Sequence, residues 1–439
     1  MPWYFYVFGA VAVFSFFTYS NTLTRKWAGY SEKFFTKKLF QTAFIIRLCW
    51  VIFSWFFYTA MTGFGLPFEF QAADSFFYHN SAINIVKNGF AFEMQFMSLS
   101  DSGYPVYLGL LYKIFNINIF GLNIFIVRVI KSVIGAYTCV LIYRLAKRSF
   151  NNENTGRIAG ILCMLMPNLI YYCGLHLKEI EMVFLGVFFV ERMDNMLRSQ
   201  KYGVKDMILP FLAAISLFAL RTALGSVALL SLGTAVLFAN KKVVNWRQRI
   251  IVGVWAVVVI AYFIGGQIAT EIEETWNART EAQANSMQFR SLRTGGNEFA
   301  KYFSGAAFAP LIFTIPFPTV VETPGQQNIK VINGGNYCKN ILSFFAIFAI
   351  FMIFKRKEWR KYILAGSYMI GYLGVIALSP FAQSERFHQP ALPFVIMFAA
   401  YGISLCTNKT KKYYNFWTIS LFFAIIGWSF FKLAGRDMV

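Results

Sequence analysis

Apolar residues run along this chain in long stretches, and polar residues fall mostly in short intervals between them. Stretches close to the ~20 residues a helix needs to cross a hydrocarbon core predict membrane-spanning helices rather than amphipathic helices or alternating strands. About twelve crossings are expected on that rule. They fall near residues 2–20, 39–61, 122–143, 158–176, 180–198, 207–220, 222–238, 250–267, 338–354, 362–378, 390–406 and 416–433. The predicted class is an all-α polytopic membrane protein. Residues 1–439 read as one integral membrane domain, with no interval large enough for a separate soluble one.

Two segments break the simple pattern. Residues 207–238 form one apolar run whose two flanks are both basic, so the chain must turn near its middle, at Arg221. Residues 104–121 are apolar, yet the parity of the flanking loops favours a helix along the outer surface or dipping part-way in, where Tyr104, Tyr107, Tyr112 and Lys113 suit an interface; a short helix crossing the bilayer stays open. The first run, PWYFYVFGAVAVFSFF, lacks a basic leading segment and a small-residue cleavage site, and is read as a retained helix.

Composition agrees: 57% of the residues are hydrophobic and 14% charged, well under the roughly 25% charged of soluble domains. The formal charge of +21 raises the question of nucleic acid. The Lys and Arg answer it, because they cluster in 21–38, 144–157, 192–206, 239–249, 355–361 and 407–413, the alternate loops that belong on the cytoplasmic side. Nucleic acid is therefore not an expected partner; membrane lipids are. The remaining intervals face outward, chiefly 62–121 and 267–337. They hold Glu69, Asp74, Glu93, Asp101, Glu179 and Glu385. Six scattered cysteines with no CxxC pair indicate neither a zinc ribbon nor a disulfide framework.

Four outward places carry ionisable groups at helix ends. They are Asp74 with Tyr78 and His79; His176, Lys178 and Glu179 in GLHLKE; Arg221; and Glu385, Arg386 and His388 in SERFHQPALP. Carboxylates and cations of this kind suit group transfer from a phosphate-linked lipid. A carboxylate can take the proton of an attacking hydroxyl or amine, while Lys and Arg hold the phosphate as it leaves. Plainer roles stay open: a solvated acid at Asp74, a cap at Glu179, a headgroup contact at Arg386. The three histidines match no ligand spacing, so no metal site is assigned, although a divalent cation could assist.

In order along the chain these residues resemble the GT-C superfamily of polyprenyl-phosphate-dependent glycosyltransferases, nearest the protein O-mannosyltransferase and lipid A aminoarabinose transferase branch. The first outward loop has an acid followed by an aromatic, Asp74 and Tyr78 in ADSFFY. A Pro-Tyr-rich helix follows in GYPVYLGLLYKIFN, then an arginine-bearing helix with Arg128 in FIVRVIKS. A helix with an internal Pro ends at the outward acid Glu179; Arg221 in LRTALG and Arg386 before Pro390 and Pro393 complete the order. Two helices rather than one precede the acidic loop, Ser75 rather than an acid follows Asp74, and no basic residue precedes the Pro-Tyr helix.

The resemblance implies a GT-C-like bundle and an inverting transfer from a polyprenyl-phosphate sugar to a glycan, lipid or protein acceptor. Asp74 and Glu179 would be catalytic, and Lys178, Arg221 and Arg386 would bind the donor phosphate. Tyr78, His79, His176, Arg128 and His388 would contact substrate, with 267–337 covering the acceptor. A surface-polysaccharide polymerase or ligase, or a flippase for lipid-linked sugar, would use similar outward charges. Short outer loops and the lack of an Asn-x-Ser/Thr site in the outward intervals favour a bacterial inner membrane, with the site facing the periplasm or exterior.

Overall fold

The computed structural model describes residues 3–63, 65–90, 99–115, 122–199, 204–239, 309–322, 327–379 and 381–434, with isolated positions between 245 and 288. Among the described residues every regular element is helical. The helices are α1 (Trp3–Lys26), α2 (Glu32–Thr62), α3 (Ala73–Lys87), α4 (Leu99–Phe115), α5 (Leu122–Phe150), α6 (Glu153–Leu165), α7 (Pro167–Tyr171), α8 (Glu179–Arg198), α9 (Val204–Leu220) and α10 (Thr222–Phe238). After the next described stretch come α11 (Gln327–Lys355), α12 (Ile363–Ala377), α13 (Glu385–His388), α14 (Leu392–Ser404) and α15 (Asn408–Ala434). The predicted crossing at 250–267 and most of the interval 267–337 lie outside the described residues.

The chain is an integral membrane protein: α1, α2, α5, α11 and α15 are each long and apolar enough to cross a membrane. The bent pair of α6 with residues 167–174 makes a sixth. Shorter apolar helices follow at 206–220, 222–238, 363–377 and 392–404. The most apolar stretch of α5 is 61% buried, against 11% for α1 and for α15, so α5 is a central post and the other two face outward from the bundle. Packing against α2, α6, α8 and α4 encloses it.

One buried charge explains the bend after α6. Pro167 has no N–H, so the carbonyl of Cys163, four residues before it, loses its helical donor, and the 50° break displaces Met164 as well. In a membrane no water reaches such groups. Arg47, fully buried on α2, fills the gap: its guanidinium donates to Cys163 O at 3.3 Å and to Met164 O at 3.2 Å.

Four of the basic intervals, 21–38, 144–157, 192–206 and 355–361, meet one another. Arg157 donates to the carbonyls of Trp27, Ala28 and Tyr30. Arg148 pairs with Glu191 and Asp194 at 3.0 and 2.8 Å, and Arg198 donates to Lys361 O. Asp74 and Glu179 meet elsewhere in the bundle, on Arg386, the neighbour of Glu385.

Two details differ from the sequence reading, and the turn at Arg221 agrees with it. Residues 104–115 do form a helix, α4, but Tyr104 and Tyr112 are buried between α3, α5 and α9 rather than spread on a surface. Gly103 permits this, since a Cβ there would meet the backbone of Ala219 on α9 at 2.7 Å. The turn at Arg221 is a single residue joining two 17-residue helices. Finally, α11 begins at Gln327, so the end of the predicted outer loop is helical, and residues 313–319 lie along it, held by Ser343 to Phe313 O and Asn333 to Thr319 O.

Candidate active site

Each acid sits at the start of a helix whose entry is fixed by buried polar contacts. Asp74 is the second residue of α3. The loop before it is pinned by Arg128, whose Nη2 donates to Pro67 O at 2.5 Å, and by Ser75 Oγ, which donates to Glu69 Oε1 at 2.6 Å. Burial pushes the Glu69 carboxyl above its usual range, with Ser75 and Arg128 working against the shift. Glu179 is the first residue of α8 and is reached through the turn 175–178. Lys131, fully buried on α5, donates to Leu175 O at 3.0 Å and to Leu177 O in that turn, and pairs with Glu181 at 3.7 Å.

The third anchor is the loop of α13. Glu385 accepts from Asn168 Nδ2 at 2.6 Å, from Tyr172 Oη at 2.7 Å, and from Gln389. Asn168 and Tyr172 lie on the bent segment after Pro167, so the bend supplies the seat for this loop. Burial pushes the Glu385 carboxyl up to about 7, opposed by the Tyr172 and Asn168 hydrogen bonds and by Lys339.

With all three anchored, residues far apart in sequence meet. Arg386 reaches Asp74 Oδ2 with Nη1 and Glu179 Oε1 with Nε, so one guanidinium ties both acids. The two arms differ: the Asp74 side chain is 56% exposed and that of Glu179 only 1%. Glu179 Oε2 has no partner among the described residues and stays open as an acceptor. Lys178 Nζ donates to Leu220 O at 2.7 Å and lies 5.6 Å from the centre of the Tyr78 ring. Arg221 donates to Tyr372 Oη at 3.0 Å and stacks 4.5 Å over Phe387, the neighbour of Arg386. Three cations and two carboxylates thus share one end of the bundle.

The other candidates take different places. His79 Nδ1 and His176 Nε2 lie 2.8 and 2.9 Å from one phenol oxygen, that of Tyr112, and Phe68 packs on both rings. Burial lowers the pKa of both histidines. Arg128 is fully buried under the first loop. His388 accepts from Lys339 at Nδ1 and donates from Nε2 to Ala382 O at 2.7 Å, which fixes its neutral tautomer. Burial, then Lys339, lowers its pKa well below the usual imidazole range.

Sequence reasoning passed over Lys131, Glu181, Asn168, Tyr172 and Tyr372. A signal existed for the first: Lys131 stands one helical turn from Arg128 in an otherwise apolar segment, where an unpaired charge is costly. A divalent cation would need Asp74 and Glu179, and the Arg386 guanidinium lies across both. Among the described residues no three His, Cys, Asp or Glu side chains are grouped to hold one. The residues as placed do not form a metal centre.

A multi-helix membrane bundle with acids and cations gathered at one end is the class that fold and site define. Among the solved structures it matches are three of the oligosaccharyltransferase of Archaeoglobus fulgidus. The apo form aligns with a TM-score of 0.52 and 14% identity over 92% of this chain, and the complex with Zn and sulfate with 0.50 and 14% over 90%. The AglB structure from the same organism with an inhibitory peptide and a dolichol-phosphate gives 0.49 and 12% over 93%. This chain spans about half of those proteins, 56%, 53% and 56% of their lengths. No family model matches the chain, and no curated protein does. The chain has the GT-C fold.

Proposed function

We propose that this protein is an inverting glycosyltransferase that moves a sugar from a polyprenyl-phosphate donor to a glycan, lipid or protein acceptor at the outer face of a bacterial inner membrane. The observation that carries the proposal is the convergence of Asp74 and Glu179 on Arg386, beside Lys178 and Arg221. The GT-C fold supports it.

In this reading Asp74, the exposed arm, accepts the proton of the acceptor hydroxyl or amine as its lone pair forms a bond to the anomeric carbon. The bond from that carbon to the phosphate oxygen breaks with its electron pair, and the charge grows on the departing phosphate. Arg386 and Arg221 meet that charge in a site their neighbours keep partly dry, with Lys178 adding a third positive charge. Glu179, enclosed at the start of α8, keeps Arg386 in place. Tyr78, over which Lys178 lies, and Phe387, over which Arg221 lies, form the apolar walls of the site.

The test is transfer from polyprenyl-phosphate sugars by the purified protein in lipid nanodiscs, wild type against Asp74→Asn and Glu179→Gln. Loss of transfer on the order of a thousandfold in Asp74→Asn is expected, as for removal of a general base. Undiminished transfer in that variant would sink the mechanism. Unaltered donor carried between leaflets by the wild type would replace it with transport.

A further inference from the structure

We infer that Arg128 and Lys131, one turn apart on α5, are positioning residues that set the two acids in register with each other. The inference rests on the glycosyltransferase reading for its kinetic consequence, but not for its structural part.

Both side chains are fully buried and lie on one face of the central post. They reach in different directions. Arg128 holds the first outer loop at Pro67 O, seven residues before Asp74, and that loop is closed by the Ser75–Glu69 hydrogen bond. Lys131 holds the second turn at Leu175 O and Leu177 O, two residues before Glu179. Neither touches Asp74 or Glu179. Lys131 also pairs with Glu181 and lies 5.3 Å from the centre of the Tyr104 ring, which ties α4 to the same point.

A buried charge in a membrane bundle is costly and is kept only where its partners are fixed. Here the partners are backbone carbonyls of two loops that come from distant parts of the chain. One rigid helix therefore serves as the common reference for both. The sum of the two arms fixes where Arg386 can span from Asp74 to Glu179. A shift of about 1 Å in such a constellation costs on the order of a hundredfold in rate.

The test uses the full-length protein in nanodiscs with two readouts, hydrogen exchange of the peptides covering 66–76 and 172–180, and transfer from a polyprenyl-phosphate sugar. Lys131→Met with Glu181→Gln removes the pin without leaving an unpaired buried charge, so it remains informative if Lys131→Met alone does not accumulate. Faster exchange in 172–180, unchanged exchange in 66–76, and a roughly hundredfold lower kcat at similar donor KM are expected. Arg128→Met is expected to loosen 66–76 instead. Lys131→Arg, which keeps the donors, is expected to restore slow exchange and most of the rate. Wild-type rate and exchange in the double variant would overturn the inference, since Lys131 would then only neutralise Glu181. A protein with the expected exchange changes but no transfer in the wild type keeps the register and loses the glycosyltransferase reading.

Discussion

Replacing Arg386 by Gln keeps a hydrogen-bonding side chain but removes the charge that joins the two acids. The two arms should respond unequally. Glu179 is 1% exposed, and breaking so enclosed an ion pair by removing its Arg386 partner costs about 3–5 kcal/mol. The Asp74 arm is 56% exposed on the acid side, where water screens the pair, and is worth about 1 kcal/mol or less. The assay is a pair of double-mutant cycles read by thermal or denaturant unfolding: Arg386→Gln with Glu179→Gln, and Arg386→Gln with Asp74→Asn. A coupling of about 2–4 kcal/mol is expected in the first cycle and under about 1 kcal/mol in the second. Transfer should respond differently, falling about a hundredfold or more in Arg386→Gln whether or not Glu179 is also changed, because charge at the leaving phosphate is missing in both. Equal couplings in the two cycles, or full transfer by Arg386→Gln, would refute the reasoning.

Other consequences are as direct. Glu385, raised to about 7 by burial, keeps its proton in the folded state across a range where the unfolded chain has lost it. Stability should therefore fall as pH rises from about 4.5 to 7, by about 3 kcal/mol in all, and Glu385→Gln should flatten that slope in unfolding measured from pH 5 to 8. An identical slope in the variant would remove Glu385 as the cause. Arg47→Met should cost on the order of 2 kcal/mol or more by leaving the Cys163 and Met164 carbonyls without donors. Adding Pro167→Ala, which returns an N–H to Cys163 O, should recover part of it, and no recovery would mean that the bend has another origin. Gly402→Ala should destabilise the α11–α14 contact by about 1–3 kcal/mol, because its Cβ would overlap the Phe345 carbonyl, and an unchanged melting temperature would show that the helices can separate.

Much of the chain was legible without coordinates because it depends on local composition. The apolar runs mark α1, α2, α5, α8, α12, α14 and α15 within several residues at each end, and α11 at its end but not at its start. Pro167 inside an apolar run marks the bend, and the isolated Arg221 marks the joint between α9 and α10. Four of the basic intervals, 21–38, 144–157, 192–206 and 355–361, meet in the bundle. Other features were read only in part. Tyr104 and Tyr112 look interfacial by type, yet they are buried, Tyr104 with its ring beside Lys131 and Tyr112 with its hydroxyl held between two histidines. Arg128 and His388 look like ligand contacts by their place in a motif, and each makes a hydrogen bond to a backbone carbonyl, Pro67 O and Ala382 O.

The sequence by itself determined that the chain is a helical membrane protein, which loops carry positive charge, and which few ionisable residues stand at helix ends. Those properties follow from transfer of side chains out of water, which each segment decides almost alone. Only the tertiary structure decided that Arg386 meets Asp74 and Glu179 across more than two hundred residues of chain. It also assigned Lys131 and Arg128 to the backbone beneath those acids. Hydrogen bonds and ion pairs are short-ranged and directional. Their partners are set by how α2, α5, α8 and the bent segment after α6 pack, which no single stretch of sequence contains.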